Sequence, residues 1–190
     1  AAGSTVQYAS TATTRATVVA GMLLTGDEVR EAVRTLQGNN AKAITRMISP
    51  SNGFNTSSIE SSYVGIISHN TLFDLKKDAD WVPVQEYAEP GARLGPFEKG
   101  ALDDVRFVMT SAGKTFSSTV TVHGTVILAQ EAYGITRVTG EEVEVITKPL
   151  GSAGTADPLN QRSTMGWKIT FATTRLQENF MIRVEHAVSS

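Results

Sequence analysis

The feature that most constrains the fold is a change in hydrophobic period near residue 104. From there onward apolar residues recur at every second position, as at 105–109, 116–128 and 142–147. This period is typical of β-strands that bury one face of a sheet. Further strands are predicted between residues 167 and 184. The second half of the chain is therefore predicted to be mainly β, which makes the whole a mixed α and β fold with more strand than helix.

One helix is clearly marked in the first half of the chain, over residues 26–37. Thr25 and Glu28 form a capping-box pattern, in which each side chain bonds a backbone N–H group that the helix leaves unpaired. Gly38 is predicted to take the left-handed position after the helix. Apolar residues at helical spacing form one stripe, which consists of Val29, Ala32, Val33 and Leu36. We expect this stripe to face the core.

A strand and a second helix are predicted next. Residues 63–67 form a short apolar run of strand type, and Asn70 is the candidate cap of a helix that continues through Leu75. A further helical turn is predicted over residues 81–87, beginning at Pro83. Stretches rich in turn-forming residues predict loops at 49–62, 91–100 and 151–158.

The composition excludes several classes of function. The net charge is −2 at pH 7, so the chain lacks the concentrated basic face of a strong nucleic-acid binder. There is no cysteine, which excludes disulfides and thiolate chemistry and fits a reducing cytoplasm. Apolar stretches such as residues 18–24 are far shorter than the roughly 20 residues that cross a bilayer, so no membrane span is predicted. A chain of 190 residues is expected to form one or two subdomains.

The three histidines, His69, His123 and His186, have no carboxylate or second histidine at metal-ligand spacing. A zinc site needs at least three ligands in tight geometry, so these residues are interpreted as surface or core-edge histidines. Ser68 and His69 are adjacent, and adjacent residues at the end of a strand point in opposite directions. They are therefore interpreted as a junction between a strand and a helix and not as a nucleophile and its base.

The remaining polar motifs also have structural interpretations. Residues 151–154 have the glycine content of a phosphate loop but lack the Lys-Ser/Thr that follows in a P-loop. The acidic pairs stand near turns or helix ends, where carboxylates are common for solvation and capping; they are Asp78 with Asp80, Asp103 with Asp104, and Glu141 with Glu142. The sequence thus predicts no catalytic, cofactor-binding or metal-binding residue and no enzymatic activity.

Several ordered blocks nevertheless carry a family resemblance. The first blocks are Tyr63-Val64-Gly65-Ile66-Ile67-Ser68-His69, Phe73-Asp74-Leu75-Lys76-Lys77-Asp78, Trp81, Tyr87, Gly95-Pro96-Phe97-Glu98-Lys99-Gly100 and Asp104-Val105-Arg106-Phe107-Val108. The later blocks are Gln130-Glu131-Ala132-Tyr133-Gly134, Asp157-Pro158-Leu159-Asn160-Gln161-Arg162, Gly166-Trp167-Lys168 and Asn179-Phe180-Met181. Together they resemble the major capsid proteins of tailed phages of the coliphage N-four type. The chain departs from that pattern at residues 95–103, where the family usually has Gly-Glu-Ile-Gly before a Gly-Val-Arg-Phe run.

The resemblance implies an α+β fold of the Hong Kong 97 type. In that fold an axial domain packs around the capsomer axes, and a peripheral domain adjoins it. Residues 1–130 would be mainly axial, and residues 131–190 would form the sheet that returns to the peripheral domain. The N-terminal arm, the extended loop and the long spine helix of the family have no counterpart in these residues, so the functional protein is expected to extend N-terminal to Ala1.

The function implied by the resemblance is structural. The protein would be a major capsid protein that assembles with copies of itself into pentamers and hexamers of an icosahedral head shell around the phage genome. A decoration or cement protein is an expected partner, and packaged double-stranded DNA an expected weak, non-specific neighbour. The protein would belong to the virion, after assembly in the cytoplasm of the bacterial host.

Three other interpretations remain open from the sequence. The first is the shell of an encapsulin-like nanocompartment, which has the same fold but encloses an enzyme cargo. The second is a hydrolase with a dispersed active site. The third is a receptor-binding or fibre module, which would show β repeats and no capped helix.

Overall fold

The computed structural model describes residues 5–44, 61–87, 96–137 and 143–189. These residues form two compact units. The first unit contains the described residues up to Ala132 together with 177–189, and the second contains Tyr133–Leu176. Residues 177–189 thus lie in the first unit, whereas the sequence placed all of 131–190 in one region. That the units are the axial and peripheral parts of a capsid subunit stays a prediction.

The first unit combines a large sheet with short helices. Its strands are β1 (Thr5–Tyr8), β2 (Tyr63–Ser68), β3 (Val82–Pro83), β4 (Glu98–Leu102), β5 (Val105–Thr110), β6 (Thr115–Ser117), β7 (Thr121–Leu128) and β12 (Met181–His186). Its α-helices are α1 (Gly26–Gly38), α2 (His69–Leu75) and α3 (Val84–Tyr87). The predicted mixed fold with more strand than helix is confirmed.

The sheet has the strand order β1-β12-β7-β2-β5-β4-β3. Strand β6 pairs with the first residues of β7, Thr121–His123. The pairs β1–β12 and β2–β5 are parallel, and the other pairs are antiparallel. Strands distant in sequence therefore become neighbours at the centre of the sheet, where β2, β7 and β12 lie side by side. No helix of the described residues is long and apolar enough to cross a bilayer.

Helix α1 forms where the sequence predicts it. Thr25 and Glu28 make the capping box, and the Glu28 carboxylate accepts the Thr25 backbone N–H at 3.0 Å. The whole predicted stripe of Val29, Ala32, Val33 and Leu36 is buried. The prediction for Gly38 is wrong, because Gly38 is still helical and Asn40 takes the left-handed conformation with φ of 57°. Asparagine tolerates this conformation because its short polar side chain can bond locally.

The cap of α2 also differs from the prediction. Ser68, the last residue of β2, accepts the Thr71 backbone N–H through its hydroxyl at 3.3 Å, and Asn70 lies inside the helix. The strand thus passes directly into the helix with no intervening residue. Pro83 belongs to β3 and precedes α3, so the predicted helical turn begins one residue later than expected.

The predicted loops are described only in part. Residues 49–60 and 91–95 lie outside the described residues, while Ser62 pairs with Ile44 in an isolated bridge. The loop prediction is wrong at residues 98–100, which belong to β4 and pair with β5. The alternation of Glu98, Gly100 and Leu102 as buried positions is a strand pattern, but a carboxylate and a glycine hide it from a hydrophobicity count.

The core of the first unit lies between α1, α2 and the sheet. Its largest fully buried apolar side chains include Leu36, Ile67, Leu75, Phe107 and Ile182. Helix α1 supplies the stripe described above, and β2, β5 and β12 supply the facing side chains. A smaller cluster of Val18, Val122 and Ala187 lies under the segment between β1 and α1.

The second unit is built from two antiparallel strand pairs. Strand β8 (Tyr133–Arg137) pairs with β11 (Phe171–Arg175), and β9 (Glu144–Lys148) pairs with β10 (Thr164–Lys168). A hydrogen-bonded turn lies between β9 and β10. It contains a 3₁₀ turn at Gly154–Ala156, and the Asp157 carboxylate accepts the Arg162 backbone N–H at 2.7 Å.

Candidate functional site

The most unusual surface of the protein is one face of the β9–β10 pair. Val145 lies opposite Trp167, and Thr147 lies opposite Met165. Residues directly opposite each other in a pair project from the same face, so these four side chains form one surface. Trp167 is 70% and Met165 75% exposed. We call the β9–β10 pair the ribbon. This surface, together with the adjoining Val143, is the apolar face of the ribbon.

The other face of the same pair is mainly polar. Glu144 lies opposite Lys168, and their side chains form an ion pair at 2.9 Å. Thr164 and Lys148 also face each other on this side, and Ile146, opposite Gly166, lies between the two polar pairs. The β9–β10 pair is therefore amphipathic, with tryptophan and methionine on one side and mostly charged or hydroxyl groups on the other.

The β8–β11 pair also exposes large apolar side chains, on a face that it shares with Arg175. Tyr133, Ile135 and Phe171 occupy alternate positions that share one face, and each is more than half exposed. The opposite face carries Gly134 and Thr174, which are paired in register. Large apolar groups thus project from one side of each strand pair.

The second unit has no apolar core within its described residues. No apolar side chain of 133–136 or 143–176 is buried. A two-stranded pair is at best marginally stable in water unless its apolar face packs against something else. Large exposed apolar patches on soluble proteins mark interaction surfaces. The exposed apolar side chains of the second unit therefore form a candidate interaction surface.

In contrast, the buried polar groups lie in the first unit. His123 on β7 and His186 on β12 are paired in register, and their rings stack with centroids 6.3 Å apart. His69 lies apart from this stack as the exposed first residue of α2. The pair was not predictable from the sequence, because only the register of two distant strands brings the two residues together.

The hydrogen bonds of His186 are ones that a neutral ring can make. Its Nδ1–H donates to the Ala187 carbonyl oxygen at 2.7 Å, and its Nε2 lies 3.0 Å from the Thr125 hydroxyl, which can donate to it. Burial and the neighbouring His123 together lower the pKa of His186 to about 4, against the raising effects of Ala187, Asp74 and Glu28. Burial and the nearby His69 also lower the pKa of His123. Desolvation disfavours the charged form of each imidazole.

The histidine that Ser68 contacts is the distant His123 and not its neighbour His69. Its hydroxyl lies 3.2 Å from His123 Nδ1 and 2.9 Å from the Thr71 hydroxyl. The same oxygen accepts the Thr71 N–H as the helix cap. Because these bonds already use the buried hydroxyl in structure, the arrangement supports the structural interpretation of Ser68.

Three residues of the acidic pairs, Asp78, Asp80 and Asp103, make structural bonds. The Asp78 carboxylate accepts the backbone N–H of Gly26, the first residue of α1, at 2.8 Å. Asp80 and Asp103 bind the Arg30 guanidinium, with Asp103 at 2.7 Å from Nε. Glu141 and Glu142 lie outside the described residues. Among the described residues no group of three histidines or carboxylates is arranged to hold a metal ion.

One buried carboxylate anchors the segment that precedes α1. Glu185 on β12 is fully buried and lies 2.7 Å from Arg15 and 2.9 Å from Arg183. The Arg15 guanidinium also stacks 3.8 Å from the centre of the Phe116 ring. Burial alone would raise the pKa of Glu185, but the bonds and charges of the two arginines outweigh burial and hold it below its ordinary value. The contact ties residues 15–17 to the sheet.

The fold is the Hong Kong 97-type fold of phage capsid subunits, and this confirms the predicted fold class. Similar solved structures include the capsid of Ralstonia phage GP4, with a TM-score of 0.69, 14% identity and 97% of this chain covered. The cyanophage Pam1 capsid gives a TM-score of 0.60 at 14% identity, also over 97% of this chain. The SrpI encapsulin complex from Synechococcus elongatus gives 0.55 at 7% identity over 96%.

The chain spans about half the length of these structures, covering 53% of the Ralstonia phage chain, 54% of the Pam1 chain and 53% of the encapsulin chain. No protein-family model matches the chain, and no curated protein sequence does. The similarity therefore concerns the fold. The function rests on what the surfaces described above are able to do.

Proposed function

We propose that the protein is a structural subunit of a tailed-phage head, which assembles with copies of itself into an icosahedral shell around the genome. The observation that carries the proposal is the apolar face of the ribbon. The chain has a fold found in phage capsids, and the large apolar side chains of its second unit are exposed. A subunit of a shell has neighbours on every side, which gives such a surface a natural cover.

The proposed assembly is geometric. Heterologous contacts, in which different faces of neighbouring subunits meet, close into rings when the rotation between subunits fits. Pentamers and hexamers formed in this way would tile the shell. In this scheme the first unit is the axial part around the ring axes, and the second unit is the peripheral part between them.

The proposal assigns no catalytic role. The buried Ser68, His123 and His186 are held by bonds to a helix cap, a threonine and a backbone carbonyl. The buried Glu185 is neutralised by two arginines. These arrangements stabilise the sheet, and they support a protein whose function is to hold a shape.

The charge of the chain suits a container. A net charge of −2 gives little attraction for phosphate groups, so packaged double-stranded DNA would be a weak, non-specific neighbour. A decoration or cement protein on the outer surface is the other expected partner. The protein would be found in the virion, after assembly in the host cytoplasm.

An encapsulin-like shell is the second candidate, and one observation favours keeping it. The SrpI encapsulin structure matches the chain over nearly the same length as the phage capsids. The two functions differ in what the particle contains. Double-stranded DNA in purified particles supports the phage head, and an enzyme cargo without DNA supports the nanocompartment.

The proposal is tested by charging the two faces of one strand in the complete gene product. Trp167→Glu and Met165→Glu place a carboxylate on the apolar face, and Thr164→Glu places one on the polar face as the matched control. We expect closed particles from the parent protein and from Thr164→Glu, and none from the other two. Particles of normal yield from all three variants would show that the apolar face is not covered in the shell.

A further inference from the structure

The last residues of the described chain are held at two points by groups that bind protons. At the first point, His186 at the end of β12 stacks on His123 of β7, and both rings are buried. At the second point, Ser189 donates its backbone N–H to Asp74 of α2 at 2.8 Å, and its hydroxyl bonds the same carboxylate. Between these points the Ala187 N–H donates to Met22 at 2.8 Å.

We propose that residues 186–189 form an acid-sensitive latch, which closes the end of β12 onto β7 and α2 while His123 and His186 are neutral and opens when they bind protons. The closed form favours neutral rings for a geometric reason. One donor and one acceptor, as a neutral imidazole provides, are enough for the bonds of His186 to Ala187 and Thr125. Two charged rings with centroids 6.3 Å apart at buried positions would repel each other.

The charged groups around the pair favour opening in acid. The charge of His69 on α2 acts on His123 and lowers its pKa, in addition to the larger effect of burial. Asp74 on α2 and Glu28 on α1 are the carboxylates that act on His186. Asp74 is already engaged by Ser189 and by Lys77, whose Nζ lies 3.3 Å from it. The Asp74 carboxylate is therefore partly neutralised and cannot fully compensate a charge on His186.

The direction of the pH effect follows from proton linkage. The pKa of His186 is about 4 in the closed form and about 6.5 when the ring is exposed, so the open form binds the proton more readily. Closing is favoured above pH 6.5 and loses this advantage as the pH falls toward 4. For His186 alone, the linkage predicts that the open population rises about thirty-fold between pH 7.5 and pH 5. The bonds to Asp74 persist to lower pH, because the Ser189 and Lys77 bonds hold the pKa of Asp74 down against the opposing effect of burial.

Hydrogen exchange of the whole chain, followed by mass spectrometry and corrected for the intrinsic exchange rate at each pH, measures the opening. We expect the amides of residues 186–188 to lose about thirty-fold in protection between pH 7.5 and pH 5, while amides of α1 at residues 29–36 keep theirs. Equal protection of 186–188 at both pH values would overturn the proposal. Parallel loss in α1 would also overturn it, because the whole unit and not a latch would then be opening.

Variants identify the groups responsible. His186→Gln and His123→Gln keep a donor and an acceptor but cannot bind the proton, so each is expected to reduce the pH dependence. His69→Gln is the control, since it replaces an exposed histidine of the same chain, and it should retain most of the effect. If the buried variants fail to fold, the imidazole signals of the parent protein decide by NMR. His123 and His186 rings still neutral at pH 5.5 support the latch, and protonation of both above pH 6 overturns it.

Discussion

Gly65 and Phe107 lie so close across the parallel pair of β2 and β5 that a side-chain carbon on Gly65 would stand 2.5 Å from two carbons of the Phe107 ring. Phe107 is fully buried, and Trp81 packs on it with ring centres 5.8 Å apart. The absence of a side chain at Gly65 thus leaves the space that the Phe107 ring, the largest fully buried side chain, occupies. Gly100 leaves space for Trp81 in the same way, because a side-chain carbon on Gly100 would overlap the Trp81 ring.

Gly65→Ala is therefore expected to destabilise the first unit by overpacking. Displacing a buried aromatic ring in a full core costs about 1–3 kcal/mol. Chemical denaturation, followed by the fluorescence of the tryptophans, measures the change. Gly38→Ala is the matched control because nothing lies within 4 Å of the added carbon at the end of α1. That variant should be neutral or slightly stabilising, and an equal loss in both variants would contradict the clearance argument.

Leu36→Ala tests the helical stripe. Leu36 is fully buried at the last turn of α1, and removal of a buried leucine side chain costs about 2–5 kcal/mol. The free energy of unfolding in urea gives the value. Gln37→Ala, at the next position and exposed, serves as the control with an expected change of less than about 0.5 kcal/mol. A loss at Leu36 no larger than at Gln37 would show that the stripe does not face the core.

Glu185→Gln tests the buried ion pair. The variant leaves Arg15 and Arg183 without their shared carboxylate. Breaking a fully buried pair costs about 3–5 kcal/mol, and because Arg15 is 37% exposed on its side chain we expect less, about 2 kcal/mol at pH 7. The measurement is thermal or urea unfolding at pH 7.

The same variant should also change how stability depends on pH. The pKa of Glu185 is lowered in the folded state, so its contribution is present above the ordinary pKa of a glutamate and is lost as the pH falls through the folded value. The difference between parent and Glu185→Gln should therefore shrink from pH 7 toward pH 3. A constant difference over this range would mean that the carboxylate is not the source of the effect.

Elements with a local signal were predictable from the sequence. The capping box and the stripe of α1 lie within a dozen residues, and the alternation in β5 and β7 is visible in a short window. Ser68 was missed as the cap of α2 because it is also the last residue of a strand. Strand β4 was missed because Glu98 and Gly100 occupy its buried positions.

Features that depend on register were beyond the reach of the sequence. His123 stacks on His186 only because β12 pairs with β7. No pattern in the sequence near either residue predicts this pairing. The ribbon is the converse case. Strand β9 was predictable from its alternating valines, whereas strands after it were predicted only from Trp167 onward, which misses most of β10. The exposure of Trp167 and Met165 is a property of the folded chain that no local pattern shows. Alternation predicts that one face is apolar, and it does not say what covers that face.

Electron microscopy of the purified complete gene product tests the central claim most directly. We predict closed icosahedral particles, in which Trp167 and Met165 of every subunit are covered by protein. A protein that stays monomeric at high concentration, with Trp167 and Met165 open to solvent, would contradict a role as the subunit of a shell.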